Sequence, residues 1–208
     1  MRRRTLKAHA LADELCRQEK ISYERVRSLS DTLLQRYALG QSKPLESFNS
    51  DDKELITKKK QEIRRQYVEI ISGVKGDSAT EYADFIWKVV RCRWFRDKVV
   101  MILDQIEEMI DGQVSDYPYD PQREGEHNLE GKQIRTILWR AYLDDNKNIK
   151  SPIQICVDME ISKATYDRRL PDAVVLFGIL MWIYANKRER EDIEAGIVEK
   201  PDYYIEMA

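Results

Sequence analysis

The sequence predicts an all-α protein, with a multi-helix N-terminal region followed by a C-terminal helix-turn-helix domain. Apolar residues recur at spacings of three and four over most of the 208 residues, which is the period of a helix with one buried face. The chain has only 8 Gly and 6 Pro, fewer turn-forming residues than a strand-rich fold needs. Hydrophobic residues make up 42% and charged residues 35% of the chain, so a core can form beneath a solvated surface.

The N-terminal region is predicted to span residues 1–112 and to oligomerise or to bind a partner. Residues 5–39 are expected to form one or two amphipathic helices, and the polar segment 40–50 is expected to be a linker. A further helix is predicted to end near residue 71. The most regular apolar pattern, 82–110, predicts one long or two shorter helices that end at Gly112. No internal repeat is predicted.

A segment rich in helix-breaking residues marks the predicted domain boundary. Residues 113–129 contain two prolines and a glycine, which is typical of a linker. The following residues, 130–187, are predicted to form the helix-turn-helix domain, and 188–208 a charged tail. Within 130–190, eleven Lys and Arg face eight Asp and Glu, a mild basic bias in a chain whose net charge is −2.

The most informative pattern lies at residues 149–170. Ser151 and Pro152 are typical of a helix start, because the hydroxyl caps free N–H groups and proline has no N–H to lose. Ser162 then caps a second helix after a turn of about three residues. Two helices joined in this way form a helix-turn-helix, whose second helix enters the major groove of DNA. Glu160 stands at the turn position that glycine often occupies with a positive φ.

The start of this second helix carries side chains suited to DNA. Hydroxyls, backbone N–H groups and cations can bind phosphates. Arg168 and Arg169 can also bond guanine edges. Tyr166 and Leu170, four residues apart, share a face that is expected to pack inward. The first helix is expected to bury an apolar stripe that includes Ile153 and Val157, and residues 171–187 are expected to supply another helix. The predicted DNA-binding residues are Ser151, Ser162, Lys163, Thr165, Tyr166, Arg168 and Arg169.

The last third of the chain resembles the ArpU-type late transcriptional regulators of Gram-positive phages and the related sigma-region-4-like phage activators. The resemblance lies in the run ILWRAYL and in IQICVDMEISKATYDRRLPDAVVLF. Its matching residues are Trp139, Tyr142, Ile161, Ser162, Thr165, Tyr166, Arg168 and Ala173. The turn residue Glu160 and Pro171 depart from the family's pattern. The resemblance implies a helix-turn-helix regulator of phage gene expression, acting in the cytoplasm of the bacterial host.

Composition argues against several other classes of protein. Three widely spaced cysteines and two histidines predict buried thiols in a reducing cytosol, without a disulfide framework or zinc site. No nucleophile motif or phosphate-binding loop is present, so neither an enzyme nor a cofactor is expected. Arg2, Arg3 and Arg4 precede a polar stretch, so no signal peptide is expected. The apolar run 173–185 is too short to span a bilayer, and it is expected to lie in the core or in a subunit interface.

The leading hypothesis is therefore a DNA-binding transcriptional regulator. Its expected partners are double-stranded DNA, further copies of the chain in a homo-oligomer and, if it activates by recruitment, RNA polymerase. Two alternatives stay open. One is a helical DNA-packaging or assembly adaptor of the small-terminase kind, in which the apolar helix builds a ring. The other is a protein-interaction module without DNA binding.

Overall fold

The computed structural model describes residues 7–40, 53–73, 79–116, 119–123, 125–144 and 150–199. These residues form helices joined by turns and irregular segments, with no strand among them, so the predicted all-α class is confirmed. The α-helices are α1 (Lys7–Gln18), α2 (Tyr23–Gly40), α3 (Lys53–Ser72), α4 (Ala79–Arg91), α5 (Arg93–Asp111), α6 (Glu130–Leu138), α7 (Pro152–Asp158) and α8 (Lys163–Glu194). A π-helical turn, Trp139–Leu143, extends α6.

Two regions in which the sequence allowed one helix or two contain two. The residues between α1 and α2 form a turn, and α4 and α5 are separated at Cys92, whose backbone is extended (φ −74°, ψ 128°). Helix α5 ends at Gly112, as predicted. The residue there has φ +78°, and its N–H bonds to the Glu108 carbonyl at 2.8 Å, which is the usual role of glycine after a helix end. The predicted linker 40–50 lies, apart from Gly40, outside the described residues.

Helix α8 continues through Pro171, where the sequence predicted the start of a separate helix. Proline removes the N–H that would bond the carbonyl of Asp167 and costs about 3 kcal/mol in a helix interior. Asp167 is exposed, so water can bond that carbonyl. Residues 172–182 are all buried, and each buried large aliphatic side chain contributes about 1.5–3 kcal/mol, so burial outweighs the cost of the proline.

The apolar part of α8 is the central element of the core. Side chains from 173 to 182 are at most 2% exposed within the single chain, so this stretch is core and the interface interpretation is wrong. Helices α1, α2, α3, α5 and α6 all pack on α8. The closest approach is at Gly178, where a Cβ atom would lie 1.8 Å from Ser30 Oγ, so only glycine fits.

The same core crosses the predicted domain boundaries. It includes residues of α1 to α6 together with α8, so 130–187 shares its packing with the N-terminal helices. Helix α8 also extends into the predicted tail. There Arg65 Nε bonds Glu189 Oε1 at 2.8 Å and Arg64 pairs with Asp192, joining the end of α8 to α3.

Among the helices that the structure describes, α8 is the one that is long and apolar enough to cross a membrane. This rests on length and composition alone, and 72% of its apolar window is buried inside the protein. A core helix of a soluble protein meets the same criterion, so the feature is weak evidence for a membrane span.

Candidate DNA-binding surface

The segment from α7 to the start of α8 is held by a small apolar cluster beside the main core. This cluster joins α6, α7, the turn and the start of α8, and part of it comes from the predicted linker. Leu170 packs against both the cluster and the main core. The buried members of the cluster are Tyr119, Ile137, Ile155, Cys156, Met159 and Tyr166. The start of α8 is therefore fixed by its own packing.

The turn between α7 and α8 has the backbone conformation that the sequence pattern suggested. Glu160 has φ +51°, in the left-handed region that glycine adopts most easily. The Met159 N–H bonds the Ile155 carbonyl at 3.0 Å, and the Ile161 N–H bonds the Cys156 carbonyl at 3.0 Å. A side-chain hydrogen bond from Gln122 Nε2 to Glu160 holds the turn from the neighbouring loop.

Both predicted helix caps are present. Ser151 Oγ accepts a hydrogen bond of 3.2 Å from the Gln154 N–H, and Pro152 is the first residue of α7. Ser162 Oγ accepts one of 3.1 Å from the Thr165 N–H and lies 2.9 Å from Thr165 Oγ1. These hydroxyls satisfy N–H groups that would otherwise lack a partner at the helix starts.

The predicted DNA-binding residues differ in how far they reach solvent. Ser151, Ser162, Lys163 and Arg168 are exposed, whereas Thr165 and Arg169 are half-buried. Tyr166 is only 4% exposed and lies in the small apolar cluster, as its spacing with Leu170 predicts. Its ring can therefore position the helix but does not offer a contact to DNA.

The cations of α8 have different electrostatic surroundings. Lys163 pairs with Asp167 one turn later, and its Nζ lies 5.5 Å from the centroid of the Tyr166 ring. The Arg168 guanidinium has no hydrogen bond or ion pair among the described residues. Burial lowers the pKa of Arg169, against the raising effect of Glu130. No acceptor among the described residues bonds Arg169 Nε. Arg168 is thus the cation most available to a ligand.

Two further cations lie beside α7 and were not singled out from the sequence. Lys150 Nζ pairs with Asp158, and Arg140 Nη1 lies 3.4 Å from the same carboxylate. The hydrogen bond from Lys150, with one from Gln154, lowers the pKa of Asp158. Arg140 comes from the π-helical turn, and no local pattern in the sequence signals that it approaches α7.

The apolar stripe predicted for α7 is wrong at two positions. Ile153 and Val157 are 72% and 66% exposed, while Ile155 is fully buried. A seven-residue helix can satisfy the helical period with more than one face, so packing against α8 and the π-helical turn decides which face is buried. The outer face of α7 therefore presents two aliphatic side chains to solvent.

Other candidate features provide no comparable site. The three cysteines are buried and free, and burial raises the pKa of Cys16 to about 11, with Asp13 adding to the effect. No group of three or more His, Cys, Asp or Glu able to hold a metal ion occurs in the described part of the chain. Trp94 and Phe95 stand between Arg93 and Arg96 in the sequence, an arrangement that could suit single-stranded nucleic acid. Both aromatic side chains are buried, so they belong to the core.

Comparisons with protein-family models, with curated proteins and with solved structures give no match to this chain.

Proposed function

We propose that this protein is a DNA-binding transcriptional regulator that inserts the start of α8 into the major groove of duplex DNA. The observation that carries the proposal is the exposed start of α8, with Arg168 unpaired among the described residues, on a motif that has its own apolar cluster. A recognition helix needs both properties, because its side chains must reach base edges while its backbone stays fixed.

The geometry supports distinct roles for the side chains. Arg168 can bond a guanine edge or a phosphate, and Lys163 can exchange Asp167 for a phosphate. The Ser162 and Thr165 hydroxyls bond each other and shape the start of α8. Ser151 caps the start of α7. Arg169 is less accessible, so we assign it a smaller contribution than Arg168.

A role in phage or prophage gene expression is supported by the resemblance to ArpU-type regulators. Ile161, Ser162 and Thr165, which carry part of that resemblance, form the turn and the cap of α8. On this proposal the protein acts in the bacterial cytoplasm, binds double-stranded DNA as a homo-oligomer and can contact RNA polymerase.

The two alternatives fit the structure less well. A ring-forming adaptor was expected to assemble through the apolar helix, but residues 173–182 are buried within one chain. A protein-interaction module would use the exposed aliphatic side chains Ile153 and Val157. This alternative makes no use of the exposed Arg168.

Selection of bound sequences from a random duplex library tests the proposal. Enrichment of one motif by the parent protein, and loss of that enrichment in Arg168→Ala, is the expected result. A parent protein that retains no duplex would overturn DNA binding, and retention without an enriched motif would overturn sequence-specific regulation. The matched control is Arg188→Ala, which removes an exposed arginine from the opposite half of α8.

A further inference from the structure

The segment joining α1 and α2 repeats the segment joining α7 and α8. The first reads Cys-Arg-Gln-Glu-Lys-Ile-Ser (16–22) and the second Cys-Val-Asp-Met-Glu-Ile-Ser (156–162). Only Cys, Ile and Ser are shared, which is too little for the repeat to be evident from the sequence. The sequence shows no internal repeat, so the similarity of the two segments lies in their backbone structure.

The hydrogen bonds of the two segments correspond one to one. The bonds that close the first helix and form the turn have donor–acceptor distances of 2.9–3.2 Å in the first segment and 3.0–3.2 Å in the second. In the first segment they are Glu19 N to Leu15 O, Lys20 N to Arg17 O and Ile21 N to Cys16 O; in the second they are Met159 N to Ile155 O, Glu160 N to Val157 O and Ile161 N to Cys156 O.

The correspondence continues into the second helix of each segment. The Ser22 hydroxyl accepts from the Arg25 N–H at 3.4 Å, as Ser162 accepts from Thr165 at 3.1 Å. The serine carbonyls accept from Val26 and Tyr166, each at 3.0 Å. Both helices therefore begin with the same cap.

The turns share an uncommon backbone conformation. Lys20 has φ +56° and Glu160 has φ +51°, and these are the non-glycine residues with positive φ in the described ranges. A left-handed residue other than glycine is costly and occurs only where the surrounding structure requires it. The same cost at the same place in both segments marks them as two copies of one motif.

Burial is similar at most corresponding positions of the two segments, although Tyr23 is half-buried where Lys163 is exposed. The residues that pack inward at corresponding positions are Leu15 and Ile155, Cys16 and Cys156, and Val26 and Tyr166. The residues exposed at corresponding positions are Ser22 and Ser162, Glu24 and Ala164, Arg27 and Asp167, and Ser28 and Arg168. The start of α2 thus presents the same face to solvent as the start of α8.

The side chains of α2 favour phosphates over bases. Residues 20–28 contain three cations (Lys20, Arg25 and Arg27) and one acid (Glu24), a local excess that 160–168 lacks. Arg25 is engaged, since its Nε donates to the Ile70 carbonyl at 3.1 Å. The position of Arg168 is taken by a serine, so α2 has no bidentate donor for a guanine edge there.

We propose that α1–turn–α2 is a second helix-turn-helix, and that Lys20, Arg27 and Ser28 bind the phosphate backbone of duplex DNA. A cation and a hydroxyl on an exposed helix start are ordinary phosphate donors and carry no sequence information. This inference rests on the proposed DNA binding by α8 for its biological setting, but the two surfaces can be tested separately.

The test measures the affinity of the full chain for a labelled duplex at several KCl concentrations. Arg27→Ala should reduce the slope of log affinity against log salt by about 1 and weaken binding equally on unrelated duplexes. Arg27→Lys should restore the slope, because it keeps the charge. Arg188→Ala is the control, since Arg188 and Arg27 are both exposed and each pairs with a Glu three residues away.

The outcomes separate this inference from the proposed function. If Arg168→Ala weakens binding while Arg27→Ala keeps the parental slope, the second contact is refuted and the role of α8 stands. If only Arg27→Ala acts, the second contact stands and the role of α8 fails. If neither variant differs from the Arg188→Ala control, both proposals fail.

Discussion

The Tyr23 hydroxyl donates a hydrogen bond of 2.6 Å to Asp172 Oδ1, which joins the start of α2 to α8 one turn beyond Arg168. Asp172 is 5% exposed, and the same oxygen lies 2.8 Å from His9 Nδ1. The start of α2 and the helix α1 are therefore bonded to the helix that carries the proposed reading residues. Removing the Tyr23 hydroxyl would leave the buried Asp172 carboxylate with fewer hydrogen-bond partners.

Tyr23→Phe should lower the free energy of unfolding by about 1.5–3 kcal/mol, the usual range for a hydrogen bond to a charged group. Urea titration followed by circular dichroism measures this. Tyr184→Phe is the control, because the Tyr184 hydroxyl makes no hydrogen bond to the part of the chain that the structure describes. Equal stability of Tyr23→Phe and the parent would show that the bond contributes nothing net.

Stability should fall in acid partly through Glu126. Burial raises the pKa of Glu126, but the Asp120 N–H and Lys132 outweigh it, so the pKa is lowered overall. Lys132 Nζ lies 2.6 Å from Glu126 Oε1. Because the folded pKa is lowered, this carboxylate stabilises the fold above its unfolded pKa, and that contribution is lost as pH falls through the folded value. Glu126→Gln should therefore flatten the acid side of the stability profile; an unchanged profile would contradict this.

Replacing either strained turn residue by glycine should stabilise the protein. Lys20→Gly removes the steric cost of a left-handed Cβ and should raise the unfolding free energy by about 0.5–1 kcal/mol. Glu160→Gly removes the same cost but also the hydrogen bond from Gln122, so its gain should be smaller. Glu14→Gly, in the interior of α1, should lower the unfolding free energy by about 0.5–1 kcal/mol. Thermal unfolding of the three variants checks the prediction, which fails if the turn variants behave like Glu14→Gly.

A charge in the central helix should prevent folding. Leu180 and Trp182 are 2% and 0% exposed within the chain, and a buried unpaired carboxylate costs several kcal/mol. Leu180→Glu and Trp182→Glu should lose the helical circular dichroism signal, whereas Ile153→Glu on the exposed face of α7 should keep it. Soluble, helical monomers of the two core variants would restore the interface interpretation.

Local chemistry made part of this structure predictable. The caps Ser151 and Ser162, the turn at Glu160 and the helix end at Gly112 each depend on a few adjacent residues, and the sequence indicated all of them. Long-range packing decided the rest. Pro171 lies inside α8 because the residues after it are buried, and Ile153 is exposed because α8 and the π-helical turn cover the other face of α7.

The similarity of the two turns could not be predicted from the sequence, for a related reason. The two turns share their backbone hydrogen bonds and a left-handed residue. The side chains of those left-handed residues, Lys20 and Glu160, have opposite charges. A backbone conformation that different side chains can adopt leaves little trace in the sequence. The start of α8, by contrast, can be proposed as a DNA-binding surface from the sequence, because hydroxyl and arginine side chains at helical spacing suit DNA phosphates and bases.

The affinity of Arg168→Ala for the duplex that the parent protein selects tests the central claim most directly. If Arg168 bonds a base or a desolvated phosphate, its loss should weaken binding by about 1–3 kcal/mol, or roughly 5- to 150-fold, at constant salt. Arg188→Ala should bind like the parent, since it removes the same charge from a distant turn of α8. An Arg168→Ala protein that is folded and binds the selected duplex as tightly as the parent would contradict the account.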